Sequence, residues 1–119
     1  VPVACKELAE LVAREHGNIH QSGSFGAEAV LRLLVRCDAL RRPERFLLAL
    51  QACACDARGR LGKEEAAYTQ GPRLAKLLQA AQSIDSAAIS AQALQEGLNG
   101  PEIGKRLDAA RLAAIESAL

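Results

Sequence analysis

Aromatic side chains are nearly missing from this chain: Phe25, Phe46 and Tyr68 are the only three among 119 residues. A core must therefore be filled by aliphatic side chains, and there is no interleaving of aromatics on which the bases of a single strand could stack. β-Branched residues are sparse as well, whereas the strongest helix formers dominate, with 24 alanines and 18 leucines. No apolar run approaches the ~20 residues that a membrane-spanning helix needs, and no charged segment leads into an apolar one as a secretion signal would. Four scattered cysteines (Cys5, Cys37, Cys53 and Cys55) do not make a disulfide framework in so leucine-rich a chain; they read as reduced thiols of a cytoplasmic protein. These absences leave an all-α domain, long enough to bury one core. The chain opens on Val1 rather than Met, so it is expected to be part of a longer protein.

The formal net charge is only +1, but it is unevenly spread. Residues 1–31 and 64–119 each carry a balance of −2, while residues 32–63 carry +5. Seven of the eight basic residues in that middle segment are Arg, the side chain whose planar fork suits phosphate. A solvated helix surface laced with ion pairs is the simpler account of such a segment.

Apolar periodicity divides the chain into five or six helices. Leu8, Leu11, Val12 and Ile19 form a first stripe, with His16 on or beside it, and Gly17 interrupts before the turn-rich "HQSGSFG". A second helix is expected over 27–40, ended by "RRPERF" because the residue before Pro43 is pushed out of helical geometry. Pro43 then opens a third helix with Phe46, Leu47, Leu50 and Cys53 or Ala54 inward. Residues 56–71 lack periodicity and read as one long basic connection. Pro72 sits in the first turn of a fourth helix (Leu74, Leu77, Leu78 and Ala81 inward), and a fifth fills 86–96 and stops at Gly97. A last helix begins at the cap "NGPE" and buries Ile103, Leu107, Ala110, Ala114 and Ile115. The expected fold is a single helical bundle, without an internal repeat.

Few residues carry chemistry. His16 and His20 are spaced i, i+4 and would share a helix face within reach of one metal, but no nearby acid is placed to complete a site and Gly17 lies between them. A buried histidine bonded to backbone is the plainer reading. Cys53 and Cys55 lack the Cys-x-x-Cys pattern and, two apart on a helix, point in roughly opposite directions. "GSFGAEAV" has a single carboxylate, Glu28, where a nucleotidyl-transfer loop needs two, and no phosphate-binding Gly-x-x-x-x-Gly-Lys loop is present. "DARGRLGK" remains: Arg58, Arg60 and Lys63 among glycines can bring guanidinium groups and backbone amides to a phosphate chain. Arg41 and Arg42 join the same surface if the second and third helices pack antiparallel. Contact of this kind reads backbone and shape, as with structured RNA.

Four ordered blocks, "RRPERF", "DARGRLG", "QGPRL" and "LNGPEIGKRLDAARLAAI", resemble the C-terminal part of the bacterial multifunctional CCA-adding enzymes, tRNA nucleotidyltransferases that carry an HD domain. The opening "LAELVAREHGNIH" resembles the late part of that HD domain. The resemblance implies a boundary near residue 40, with 1–40 the end of the HD-type region and 41–119 a tRNA-binding helical body packed with it as one unit. It also implies a parent enzyme that builds the CCA end of tRNA from CTP and ATP, with Mg held by carboxylates in an N-terminal catalytic domain outside this chain. The HD domain would add phosphohydrolase chemistry at a second divalent metal held by His and Asp, including a His-Asp doublet. This chain has no such doublet, since Gly17 follows His16 and Gln21 follows His20, so the doublet is expected upstream. His16 stands where a late HD-domain histidine falls, which marks it as a metal-proximal candidate. The expectation is a cytoplasmic, non-catalytic fragment that needs no cofactor of its own, helps to hold tRNA, makes no membrane contact and has homodimerisation open to it. Two alternatives stand beside it: a metal-dependent phosphohydrolase fragment, and a purely structural or dimerising helical module.

Overall fold

The computed structural model describes residues 2–60, 62, 65 and 67–119. It contains six α-helices, α1 (Val3–Gln21), α2 (Ala27–Arg36), α3 (Pro43–Arg58), α4 (Gln70–Gln82), α5 (Ser86–Gln95) and α6 (Gly100–Ala118), with a single 3-10 turn at Ser22–Ser24 and no strand among the described residues. α1 packs on α3, α3 on α4, and α4 on α6, while α2 and α5 both lean on α6. The result is a flat bundle of 57 × 35 × 17 Å.

Each helix follows from its own residues. Pro43 pre-sets the first turn of α3 and Glu44 complements the positive end of its dipole. Asp85 and Asn99 accept the orphan amides of Ala88 and Glu102 at the starts of α5 and α6, both at 3.0 Å. α5 ends on Gly97 at φ 78°, the left-handed position that Leu98 N–H spans to reach Ala93 O. α2 closes in the same way but with the wrong residue for it. Asp38 holds φ 53° so that Ala39 N–H reaches Leu34 O (2.9 Å) and its own N–H reaches Val35 O (3.0 Å).

The core is aliphatic, as a chain with three aromatics requires. Leu11, Ile19, Val30, Leu33, Leu34, Leu74, Leu77 and Ile115 surround Phe46, the largest fully buried side chain. One cluster runs from Leu11 to Ile115, so residues on both sides of position 40 share it.

Several boundaries differ from the sequence reading. α1 runs unbroken through Gly17, because one glycine costs only about 1 kcal/mol in a helix anchored by tertiary contacts on both sides. α2 stops at Arg36, four residues early, since the turn at Asp38 ends it before Pro43 can. α3 continues to Arg58, which shortens the expected connection and places Asp56 and Arg58 on a helix. α4 begins two residues before Pro72. Leu47 is 40% exposed and Ala49 takes the inward place, and of the α6 stripe only Ile115 is fully buried.

Among the described residues one carboxylate is buried. Glu15, 2% exposed, accepts from Asn18 Nδ2 (2.9 Å), Arg14 Nε (3.2 Å) and Arg36 Nε (3.3 Å to each oxygen). Burial pushes its pKa upward, but the hydrogen bonds from Asn18 and Arg14 and the charge and hydrogen bond of Arg36 outweigh it, so the carboxyl titrates below its ordinary value. A group depressed in this way stabilises the fold in full above its unfolded pKa and loses that contribution as the pH falls below it. Glu15→Gln is expected to lower the unfolding free energy at pH 7 by about 1–2 kcal/mol in urea titrations. The gap to the wild type should then shrink as the pH drops below 4.5, the unfolded value. Asp38→Gly should act in the opposite direction, raising stability by about 1 kcal/mol by relieving the left-handed strain, because the exposed Asp38–Arg41 pair it gives up is worth little.

Candidate nucleic-acid interface

The C-terminal half of α1, the end of α3 and the start of α4 enclose an open cavity of about 440 Å³, lined by His16, Gly17, His20, Gln21, Arg58, Arg60, Tyr68 and Gln70. At its wall His20 is held from two sides, with Nδ1 2.7 Å from Tyr68 Oη and Nε2 3.2 Å from Asp56 Oδ2. Tyr68 is buried, and burial first, then the neighbouring Cys53 and Asp56, push its phenol up to about 12. The phenol therefore keeps its proton and donates it to Nδ1, and in the neutral ring Nε2–H donates to the Asp56 carboxylate. Gln70 Nε2 donates to the His20 carbonyl at 2.9 Å, tying the start of α4 to the end of α1.

His16 is exposed, not on the buried face, because the core side of α1 passes through Leu11, Glu15 and Ile19 instead. Its Nδ1–H donates back to Val12 O (3.1 Å) and Ala13 O (3.2 Å), since a carbonyl can only accept. The rings of His16 and His20 stand 6.0 Å apart. The acid that the sequence spacing did not supply does arrive, from Asp56, 36 residues away. It does not complete a metal site. Both nitrogens of His20 are engaged, and among the described residues no three His, Cys, Asp or Glu side chains are grouped to hold a metal ion. The donor set of the described residues does not fit the second metal that the family resemblance implied. The thiols offer no nucleophile at the core either: burial, then Asp56, pushes Cys53 up to about 11, and burial, then Glu15, pushes Cys37 up to about 12.

The basic candidates fall into two groups. Arg58, the exposed last residue of α3, borders the cavity and also a second, mainly apolar groove of about 510 Å³ between α3 and α4. Arg60 lies beside it, 3.7 Å from Asp56. Lys63 lies outside the described residues. Arg41 pairs with Asp38 (2.6 Å) and Arg42 with Glu7 (2.9 Å), both at the opposite end of α3. That helix has 16 residues and is ~24 Å long, so it holds Arg41 and Arg42 apart from Arg58 and Arg60 rather than on one continuous patch.

The link from His20 to Tyr68 and Asp56 was invisible in the spacing, since it joins three segments distant in the chain. Tyr68→Phe removes the proton that satisfies Nδ1 and is expected to cost about 1 kcal/mol of unfolding free energy in urea titrations. Unchanged stability would mean that the phenol and the imidazole are not coupled.

No protein-family model and no solved structure matches the chain. Curated relatives match it throughout. Proteins named Multifunctional CCA protein are 62% identical over 117 residues in Leptothrix cholodnii, 56% over 116 in Paracidovorax citrulli and 55% over 115 in Polaromonas naphthalenivorans. Each alignment takes in 97–98% of this chain but only 27–28% of the relative, so the chain spans little more than a quarter of their length. The four sequence blocks, the all-helical fold and this match along nearly every residue agree: the chain belongs to the multifunctional CCA protein family.

Proposed function

We propose that this chain is a C-terminal, non-catalytic segment of a multifunctional CCA protein and helps to hold tRNA against the parent enzyme. In that parent a separate N-terminal domain adds CCA from CTP and ATP with Mg, and residues 1–40 continue an HD-type region into the helical body of 41–119. The observation that carries the reading is the 62% identity over 98% of the chain, a relationship that extends through the arginine-bearing end of α3. The exposed guanidinium groups of Arg58 and Arg60 beside an open cavity are the first contacts assigned to tRNA phosphate. Arg41 and Arg42 form a second contact, because the exposed Arg41–Asp38 pair and the half-buried Arg42–Glu7 pair can exchange a carboxylate for a phosphate.

The His20–Asp56 pair beside the same cavity favours one other reading, a phosphohydrolase centre whose remaining ligands come from elsewhere in the parent. Occupation of both His20 nitrogens weighs against it.

Titrating the chain with a tRNA transcript at several salt concentrations tests the proposal. Binding should be weak and fall steeply with salt, and Arg58→Ala with Arg60→Ala should lower the slope of log affinity against log salt by about 2. Binding indifferent to salt, or unchanged in the double variant, removes tRNA from that end of α3. Absence of tRNA binding together with a dimer in light scattering supports a structural module instead.

A further inference from the structure

The sequence reading placed its arginine candidates on the basic segment and passed over Arg14 and Arg36, which the fold brings together across 22 residues. Both guanidinium groups spend their Nε–H on one buried carboxylate, Glu15, which Asn18 locks in place. Arg14 also donates an Nη2–H to Arg36 O at 3.0 Å, capping one of the last carbonyls of α2. Among the described residues, Arg36 keeps both Nη groups and Arg14 keeps Nη1 without a hydrogen bond, and the two side chains are 44% and 55% exposed. Arg32 precedes Arg36 by one turn on the same face of α2, is exposed, and makes no ion pair among the described residues. Three arginines thus gather about Glu15, which is buried beneath two of them, while exposed Glu28 lies one turn before Arg32 on α2.

We propose that Arg14, Arg36 and Arg32 form a preorganised site for the backbone phosphates of structured RNA, separate from the cavity at the end of α3. Solvent-exposed arginines ordinarily lose side-chain freedom on binding. Here Glu15 has already fixed two of them by Nε, so their outward forks meet a phosphate with less to lose. The arrangement suits phosphate rather than bases, since it offers parallel N–H donors and no aromatic or acceptor group for a base edge. Arg14, Arg32 and Arg36 do not line the cavity, although Gly17 and Gln21, three and seven residues beyond Arg14 on α1, do. The proposal rests on the tRNA-binding reading and assigns that reading a second contact.

The test uses the chain with a tRNA transcript and, as a competitor of the same charge, poly-glutamate. Arg32→Ala breaks no hydrogen bond or ion pair among the described residues, and Arg36→Lys keeps a cation for Glu15 while losing the fork. Each should weaken binding severalfold; Arg32→Ala should also lower the salt slope by about 1, whereas Arg36→Lys, which keeps its charge, should leave the slope unchanged. Glu15→Gln separates preorganisation from simple attraction: it raises the net charge by one, yet it should weaken tRNA binding because the forks are released, and a thermal melt reports whether the variant is folded. Arg32→Ala and Arg36→Lys binding as the wild type, while the Arg58/Arg60 variant weakens, overturns this site and leaves the proposed function standing. A wild-type chain that binds no tRNA removes both. Poly-glutamate competing as well as tRNA also overturns the RNA assignment.

Discussion

Glu15 is the interaction on which the arrangement of the first two helices depends. A carboxylate taken out of water is costly unless every oxygen is satisfied, and here one asparagine and two arginines satisfy it. Because Arg36 comes from α2, pairing this one buried charge ties the end of α2 to α1. The same requirement orients the arginines, whose side chains remain about half exposed. An interaction that holds the fold together therefore also shapes the surface it offers to a partner.

Similar polar ties bind the other helix ends. Glu7 draws Arg42 and Arg45 onto α1 at the start of α3. Arg73 reaches from α4 to the carbonyls of Ser22 (2.7 Å) and Phe25 (2.9 Å), satisfying backbone in the turn that reverses the chain. At the far end of α3, Tyr68, His20 and Asp56 join the segment before α4 to α1 and α3. Each tie uses a long or planar side chain to join segments distant in the chain.

The middle segment illustrates how charge along a sequence differs from charge in space. Its +5 balance suggested one basic surface, but α3 runs through it and divides the arginines between its two ends. Arg32 and Arg36, counted in the same segment, turn away to join Arg14 from the first helix. Three basic spots replace one.

Helix content, the caps at Asn99 and Gly97 and the buried stripe of α4 were legible in the sequence, because propensity, capping and 3.6-residue periodicity act within a few residues. Helix ends near Gly17, Asp38 and Arg58 were not, since each was decided by packing or by a turn that overrode the local preference. The amino-acid order also determined that the chain carries arginines suited to phosphate and that it resembles the CCA-adding enzymes. Which arginines stand together, that His20 finds Asp56 and Tyr68, and that Glu15 lies buried beneath two guanidinium groups were decided only by the tertiary structure. The long-range contacts among these join residues 21 to 48 positions apart, and no local rule of spacing reaches that far.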